Sequence, residues 1–300
     1  MKLKTINVLL SIAILPTLGY TQNVEESRLY LNQKPPGLQP EVFAQHIISK
    51  PTESEFGSVF SKNGKEFYYG VDINGKTEIR YTRLENDLWT VPKTIVSDPK
   101  YGFNDPFLSP DEYRLYYISN LQHKKNGNRK GHDIWYSEKK PDGWSEPINA
   151  GSAINSDGDE YYMSFTNEGT MYFSSNNLSG NNNDNFDIYA SRSVNGKFQK
   201  PEKLSGAINT KSYEADVFVA PDESYIIFCA RREEGLGRGD LYISFKREDG
   251  SWTKSRNMGV PINSKGHELC PFVTKDGKYF FYTSNQDIYW VDAKIFEQYR

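Results

Sequence analysis

Three of the four histidines in the chain, His123, His132 and His267, fall in polar segments between short apolar runs, as do Arg129, Arg231, Arg232 and Arg238. A guanidinium fork binds a carboxylate or sulfate bidentately, and an imidazole that titrates near neutrality can move a proton. Those residue types suit an anion pocket with acid–base chemistry. β-Elimination from a uronate needs a cation to neutralise the sugar carboxylate, a base for the neighbouring C–H and an acid for the leaving oxygen. Arg231, Arg232, Arg238 and Arg129 are the candidate clamps, His132, His267 and His123 the candidate bases, and Tyr213 and Tyr161 the candidate acids. A solvated Asn-, Gly- and Arg-rich loop is the competing reading of the same residues.

A second set is acidic. Glu55, Glu160, Glu214 and Glu268 each stand six residues before a tight turn, and a ring of converging carboxylates could hold a divalent cation. The position belongs to a repeat, however, and an acid used that regularly more often satisfies backbone or arginine groups, so no metal ligand is assigned. Neither a nucleophile elbow, a zinc helix, a phosphate loop nor a cysteine-pair metal spacing occurs. A paired-carboxylate glycosidase stays open, because the environments and separation of two acids are not readable from sequence.

The elements that must position these groups are strands. Five turns recur: Ser61-Lys62-Asn63-Gly64, Ser109-Pro110-Asp111-Glu112, Thr166-Asn167-Glu168-Gly169, Ala220-Pro221-Asp222-Glu223 and Thr274-Lys275-Asp276-Gly277. Each follows an apolar strand and precedes an aromatic-rich one, such as Phe67-Tyr68-Tyr69 or Phe280-Phe281-Tyr282. A third strand opens with an acid and an aliphatic residue at Glu78-Ile79, Asp133-Ile134, Asp187-Ile188, Asp240-Leu241 and Asp287-Ile288. Asp133 to Asp187 is 54 residues and Asp187 to Asp240 is 53. Trp89, Trp144, Phe198 and Trp252 mark a fourth strand, and the last three precede Ile154-Asn155-Ser156, Ile208-Asn209-Thr210 and Ile262-Asn263-Ser264. Four short strands at such a period are the signature of a propeller blade. The expected fold is all-β, a single five-bladed β-propeller of four-stranded blades. The fifth unit lacks its fourth strand, and Val42 to Ser49 is expected to supply it, closing the ring and removing both exposed edges. Loops between strands two and three and loops entering each blade then share one face, which gathers the histidines and arginines.

The run Gly143-Trp144-Ser145-Glu146-Pro147-Ile148-Asn149, with Gly158-Asp159-Glu160, Leu178-Ser179-Gly180 and Asp187-Ile188-Tyr189, resembles the TolB-like (WD40-like) β-propeller repeats of Bacteroidetes-type envelope and secreted proteins. The resemblance recurs in every unit and implies the fold. It does not select an activity, since such repeats serve secretion-system and peptidoglycan-associated modules, peptidase companions and carbohydrate-acting enzymes.

Residues 1–21 read as a secretory signal, with Lys2 and Lys4 ahead of an apolar run from Ile6 to Leu18 that is too short to span a bilayer. Residues 22–41 form a lead-in, 42–292 the propeller and 293–300 a tail. The expected location is periplasmic or secreted, without membrane insertion. A net charge of -3 gives no global field for nucleic acid. Cys229 and Cys270 are expected to be buried free thiols, although export would permit a bridge. Two functions are carried forward. One is a lyase or dehydratase acting on an acidic, uronate-containing and possibly sulfated oligosaccharide, an analogy to propeller polysaccharide lyases. The other is a monomeric, non-catalytic module that binds an envelope protein or glycan. A lone propeller without the peptidoglycan-binding or helical-repeat domains of scaffolding relatives favours the enzyme.

Overall fold

The computed structural model describes residues 28–121, 131–178 and 185–300; the signal segment, His123 and Arg129 lie outside them. Five antiparallel sheets stand around one axis as a five-bladed propeller. Taken from the axis outward, blade one is Ser54–Phe60, Glu66–Ile73, Lys76–Glu85 and Lys93–Val96, and blade two is Phe103–Leu108, Arg114–Ser119, Asp133–Lys140 and Ile148–Asn149. Blade three is Glu160–Phe165, Met171–Ser175, Asp187–Ser191 and Glu202–Lys203; blade four is Tyr213–Val219, Tyr225–Arg231, Asp240–Phe245 and Arg256–Asn257. Blade five is Leu269–Val273, Tyr279–Ser284 and Asp287–Asp292, completed by Glu41–Val42 from the other end of the chain.

The first hairpin of a blade forms where its turn can bond to itself. In three blades the hydroxyl at the first turn position donates to the side chain at the third: Ser61 to Asn63 at 2.8 Å, Ser109 to Asp111 at 2.6 Å and Thr274 to Asp276 at 2.6 Å. Strands one and two are buried on both faces, which is why they read as aromatic and aliphatic runs without alternation. The tryptophans sit one step earlier than expected: Leu88–Trp89 and Gly143–Trp144 are short returns from strand three, and the outermost strand follows them. Trp144 does fill space between blades, its ring 6.0 Å from that of Tyr68.

The Ile-Asn-Ser/Thr repeat has a specific job. Asn155, Asn209 and Asn263 each accept from the backbone N–H and donate to the carbonyl of one strand-three residue, Ile134, Ile188 and Leu241, at 2.7–2.9 Å. Each asparagine thereby ties the loop that leaves its blade to the strand inside it. Asn209→Ala strands the buried Ile188 N–H, while Ile188 O keeps its bond from Leu204 N–H, and is expected to cost about 1–3 kcal/mol, read as a lowered urea midpoint; an unchanged midpoint would contradict this role.

Closure is achieved with less strand than the sequence suggests. Only Glu41 and Val42 pair with the last blade, opposite Trp290 and Tyr289, and Phe43 N–H adds a bond to Ile288 O at 2.7 Å. Residues 44–49 turn away, with Ala44 and His46 at positive φ. Phe43 is the latch, fully buried against the rings of Phe67, Phe281 and Trp290 at 5.0–5.4 Å. The segment after blade five is also packed: a 3-10 turn over Ala293–Tyr299 buries Phe296 beside Phe280 and Tyr225, and Tyr299 Oη donates to Met258 O at 2.5 Å. Among the described residues no helix is long and apolar enough to cross a membrane.

Candidate axial site

The glutamates at the start of strand one are fully buried and stitch blade to blade. Their backbone N–H groups donate to the residue that precedes strand three of the previous blade: Glu55 to Gln286, Glu160 to His132, Glu214 to Phe186 and Glu268 to Gly239, all at 2.9–3.0 Å. Their carboxylates turn back onto their own entry loops. Glu160 accepts from Ser156 N–H, Ser156 Oγ and Ser175 Oγ, and Glu268 from Ser264 N–H, Ser264 Oγ and Ser284 Oγ. Glu214 accepts from Thr210 and Arg232, and Glu55 from Lys50 N–H. The four acids therefore do not converge on the axis, and the described residues contain no grouping of three or more His, Cys, Asp or Glu side chains suited to a metal ion.

Two residues after each of these positions, and after Phe103 at the same place in blade two, strand one bulges. Gly57, Asp105, Tyr162, Asp216 and Cys270 occupy the five bulges, all at positive φ between 36° and 54°. A bulge bends the strand and re-aims one side chain, and here it aims at the hub, where blades that are not neighbours can touch. Tyr162 Oη of blade three donates to Pro271 O of blade five at 2.8 Å, and Cys270 Sγ of blade five meets Asp105 Oδ1 of blade two at 3.3 Å. Gly57 leaves the room that Asp105 fills, since a Cβ there would lie 2.8 Å from Asp105 Oδ1. The Cys270 backbone N–H serves the carboxyl of Asp216. Cys270 thus stands between two acids.

Burial pushes Asp105 up to about 6, against a lowering by the Cys270 hydrogen bond. Burial, followed by the charge of Asp105, pushes Asp216 up to about 8, with Arg231 opposing. Near neutral pH one member of the pair is mainly ionised and the other mainly protonated. Between the ordinary aspartate value and about 8 the folded chain holds a proton that the unfolded chain releases, so the stability contributed is present at low pH and lost as pH rises through that window. Asp216→Asn is expected to flatten the fall in melting temperature from about pH 5 to about pH 9; parallel curves for the two proteins would refute the assignment.

Above the hub runs a row of rings. His132 lies 5.5 Å from Tyr161, Tyr161 stacks on Phe186 at 4.7 Å and 13°, and Phe186 meets Tyr213 edge-on at 5.4 Å. The guanidinium of Arg231 completes it, 4.6 Å above the Tyr213 ring. Burial raises both tyrosine phenols above their ordinary range; for Tyr161 the charge of Asp159 adds to it, followed by Asp216 and Asp105, and for Tyr213 the charge of Asp216 adds to it. At one end His132 Nδ1 lies 3.9 Å from Asp159 Oδ1, and its backbone N–H donates to the same oxygen. At the other, exposed Arg231 and Arg238 are near enough to His267 for their charges to add to burial and depress it to about 4, so this imidazole is neutral near physiological pH.

Of the expected residues, His132, Tyr161, Tyr213, Arg231, His267 and Arg238 share this face. Arg232 does not serve as a clamp. Its guanidinium is spent inside the protein, on Glu214 Oε1 at 3.1 Å, Ile208 O at 2.8 Å and Ser255 Oγ at 2.9 Å, and lies over the Tyr242 ring at 4.4 Å. Both cysteines are buried free thiols. Asp105, Asp216 and Phe186 are the additions. The bulge position reads Gly, Asp, Tyr, Asp and Cys across the five units, so no repeated residue marks the acids, and Phe186 carries no sign either.

No protein-family model and no curated protein sequence matches the chain. Solved structures match in fold. A thermostable family-43 glycoside hydrolase shares 13% identity over 81% of this chain and 91% of its own, with a TM-score of 0.54. TolB from Acinetobacter baumannii shares 14% over 79% of this chain, TM-score 0.49, and the chain spans 54% of its length. A gluconolactonase from Xanthomonas campestris shares 11% over 87% of this chain and 96% of its own, TM-score 0.48. Identity this low marks a shared fold and assigns no chemistry.

Proposed function

We propose that the axial face takes the carboxylate or sulfate of an acidic oligosaccharide and that the chain, an exported protein of the TolB-like repeat type, acts on that sugar by β-elimination as a lyase or dehydratase. The observation that carries this reading is the row from His132 to Arg231, which sets an exposed cation, protonated phenols and an imidazole with a carboxylate nearby along one edge of the hub. Arg231, with Arg238 nearby, anchors an anionic sugar at one end of the row. His132, at the other end and 3.9 Å from Asp159 Oδ1, takes the C–H proton of the uronate bound there. The C–O bond on the next carbon breaks, a C=C bond forms, and Tyr161, whose raised phenol stays protonated, supplies the proton to the leaving oxygen.

The test is incubation with a panel of uronate-bearing oligosaccharides, followed by the ultraviolet absorbance of an unsaturated product. The signal should appear with the native protein and vanish in His132→Ala. A second reading is supported by the acid pair: Asp105 and Asp216 differ in protonation, the condition for acid–base hydrolysis of a glycoside, and the family-43 glycoside hydrolase shows the architecture carrying that class of reaction. Reducing ends released without absorbance would replace elimination by hydrolysis. Tight binding of a glycan or envelope protein with neither product would leave a binding module. Export is checked by N-terminal sequencing of the mature protein, with cleavage expected near Thr21.

A further inference from the structure

We infer that Cys229 is a positioning residue that fixes His267 as the Nδ1–H tautomer, so that this imidazole donates a hydrogen bond at the axial face and takes no proton there. The two side chains come from different blades, Cys229 from strand two of blade four and His267 from the entry to blade five, and Cys229 Sγ lies 3.5 Å from His267 Nε2. The contact is built. Gly239 and His267 form a parallel bridge between the blades, and a Cβ on Gly239 would lie 2.5 Å from His267 Cδ2 and 2.8 Å from Cys229 Sγ. Only glycine lets the Cδ2–Nε2 edge of the ring lie flat against blade four with the thiol beneath it.

Cys229 is fully buried, and burial, with the charge of Asp216 adding to it, pushes its thiol well above the ordinary range. It is therefore a thiol with one proton to place, in a setting where an unplaced polar hydrogen is costly. A neutral imidazole has one acceptor nitrogen and one donor nitrogen, and a thiol donates better than a buried neutral sulfur accepts from a ring N–H. With S–H aimed at Nε2, the ring proton resides on Nδ1, on the edge that faces away from blade four. Among the described residues no protein group bonds to that nitrogen. A neutral donor there, beside Arg231 and Arg238, suits an oxygen that gains negative charge, such as the carboxylate of a uronate as its neighbouring C–H is lost. This last step rests on the function proposed above; the tautomer does not.

The test is the ring-nitrogen NMR spectrum of His267 in the native protein, in Cys229→Ala and in Cys229→Ser, with no substrate present. The native ring should show Nδ1 as the protonated nitrogen and Nε2 as the bare one, the Ser variant should keep that pattern through its hydroxyl, and the Ala variant should lose it. A native ring protonated on Nε2, or an Ala variant with the native pattern, overturns the inference. If Cys229→Ala fails to fold, the native spectrum alone decides. Because the readout needs no turnover, its failure is separable from failure of the elimination reading.

Discussion

Arg231→Ala is expected to lower kcat/KM on a uronate-bearing oligosaccharide by about 100- to 1000-fold and to leave the melting temperature nearly unchanged. The guanidinium sits at the surface on the Tyr213 ring, and among the described residues no carboxylate lies within ion-pair distance of it, so removing it takes little from the fold. What it takes is the cation nearest the row of rings. A neutral oligosaccharide of the same length should be handled equally by both proteins, because it has no charge for Arg231 to meet. A variant that loses activity equally on charged and neutral sugars would show that Arg231 supports structure and does not recognise an anion. Arg231→Lys keeps the charge but loses the planar fork, and should fall between the two.

The neighbouring residue should behave in the opposite way. Arg232→Ala is expected to destabilise the chain by about 3–5 kcal/mol, read by denaturant unfolding. Glu214 is wholly buried, and Arg232 is its cationic partner. Deleting the arginine leaves that carboxylate with its Thr210 bonds but no counter-charge, and takes the donor from Ile208 O. Burial already raises Glu214 above its ordinary value with the arginine present, so the unpaired acid should rise further and take up a proton. Arg232→Met, which keeps the stem over Tyr242, should recover part of the loss through packing. If Arg232→Ala proved as stable as the native protein, the buried pair would not be holding the blades.

Two adjacent arginines with opposite expected phenotypes show what the sequence could convey. The blades were legible because each turn, each strand-three acid and each Asn-Ser/Thr pair recurs near a fixed spacing, and spacing is a one-dimensional property. Which way a side chain points is not. Arg231 and Arg232 alternate across a strand, one to the axial face and one into the seam. Nothing in their flanks says which is which until the partner Glu214 is located 18 residues earlier. The hub acids were hidden for a related reason. A bulge adds one residue to strand one, so the inward and outward assignments slip beyond it, and a simple alternation places Asp105 and Asp216 wrongly. The closing strand was found at the right place but drawn too long, because Val42 to Ser49 looks strand-like in composition while Ala44 and His46 take left-handed backbone.

The junction of Glu41 with Trp290 has a consequence for how the molecule comes into being. The first strand of the wheel has no partner until nearly the last residue has been synthesised, so a nascent chain carries an unmated β edge throughout its growth. Shutting it requires a contact spanning almost the entire length, the kind of event that slows folding most. Cutting the chain before its last strand, Asp287–Asp292, should therefore harm the beginning of the chain as much as the end, by taking Trp290 from the Phe43 ring and the backbone partners from Glu41 and Val42.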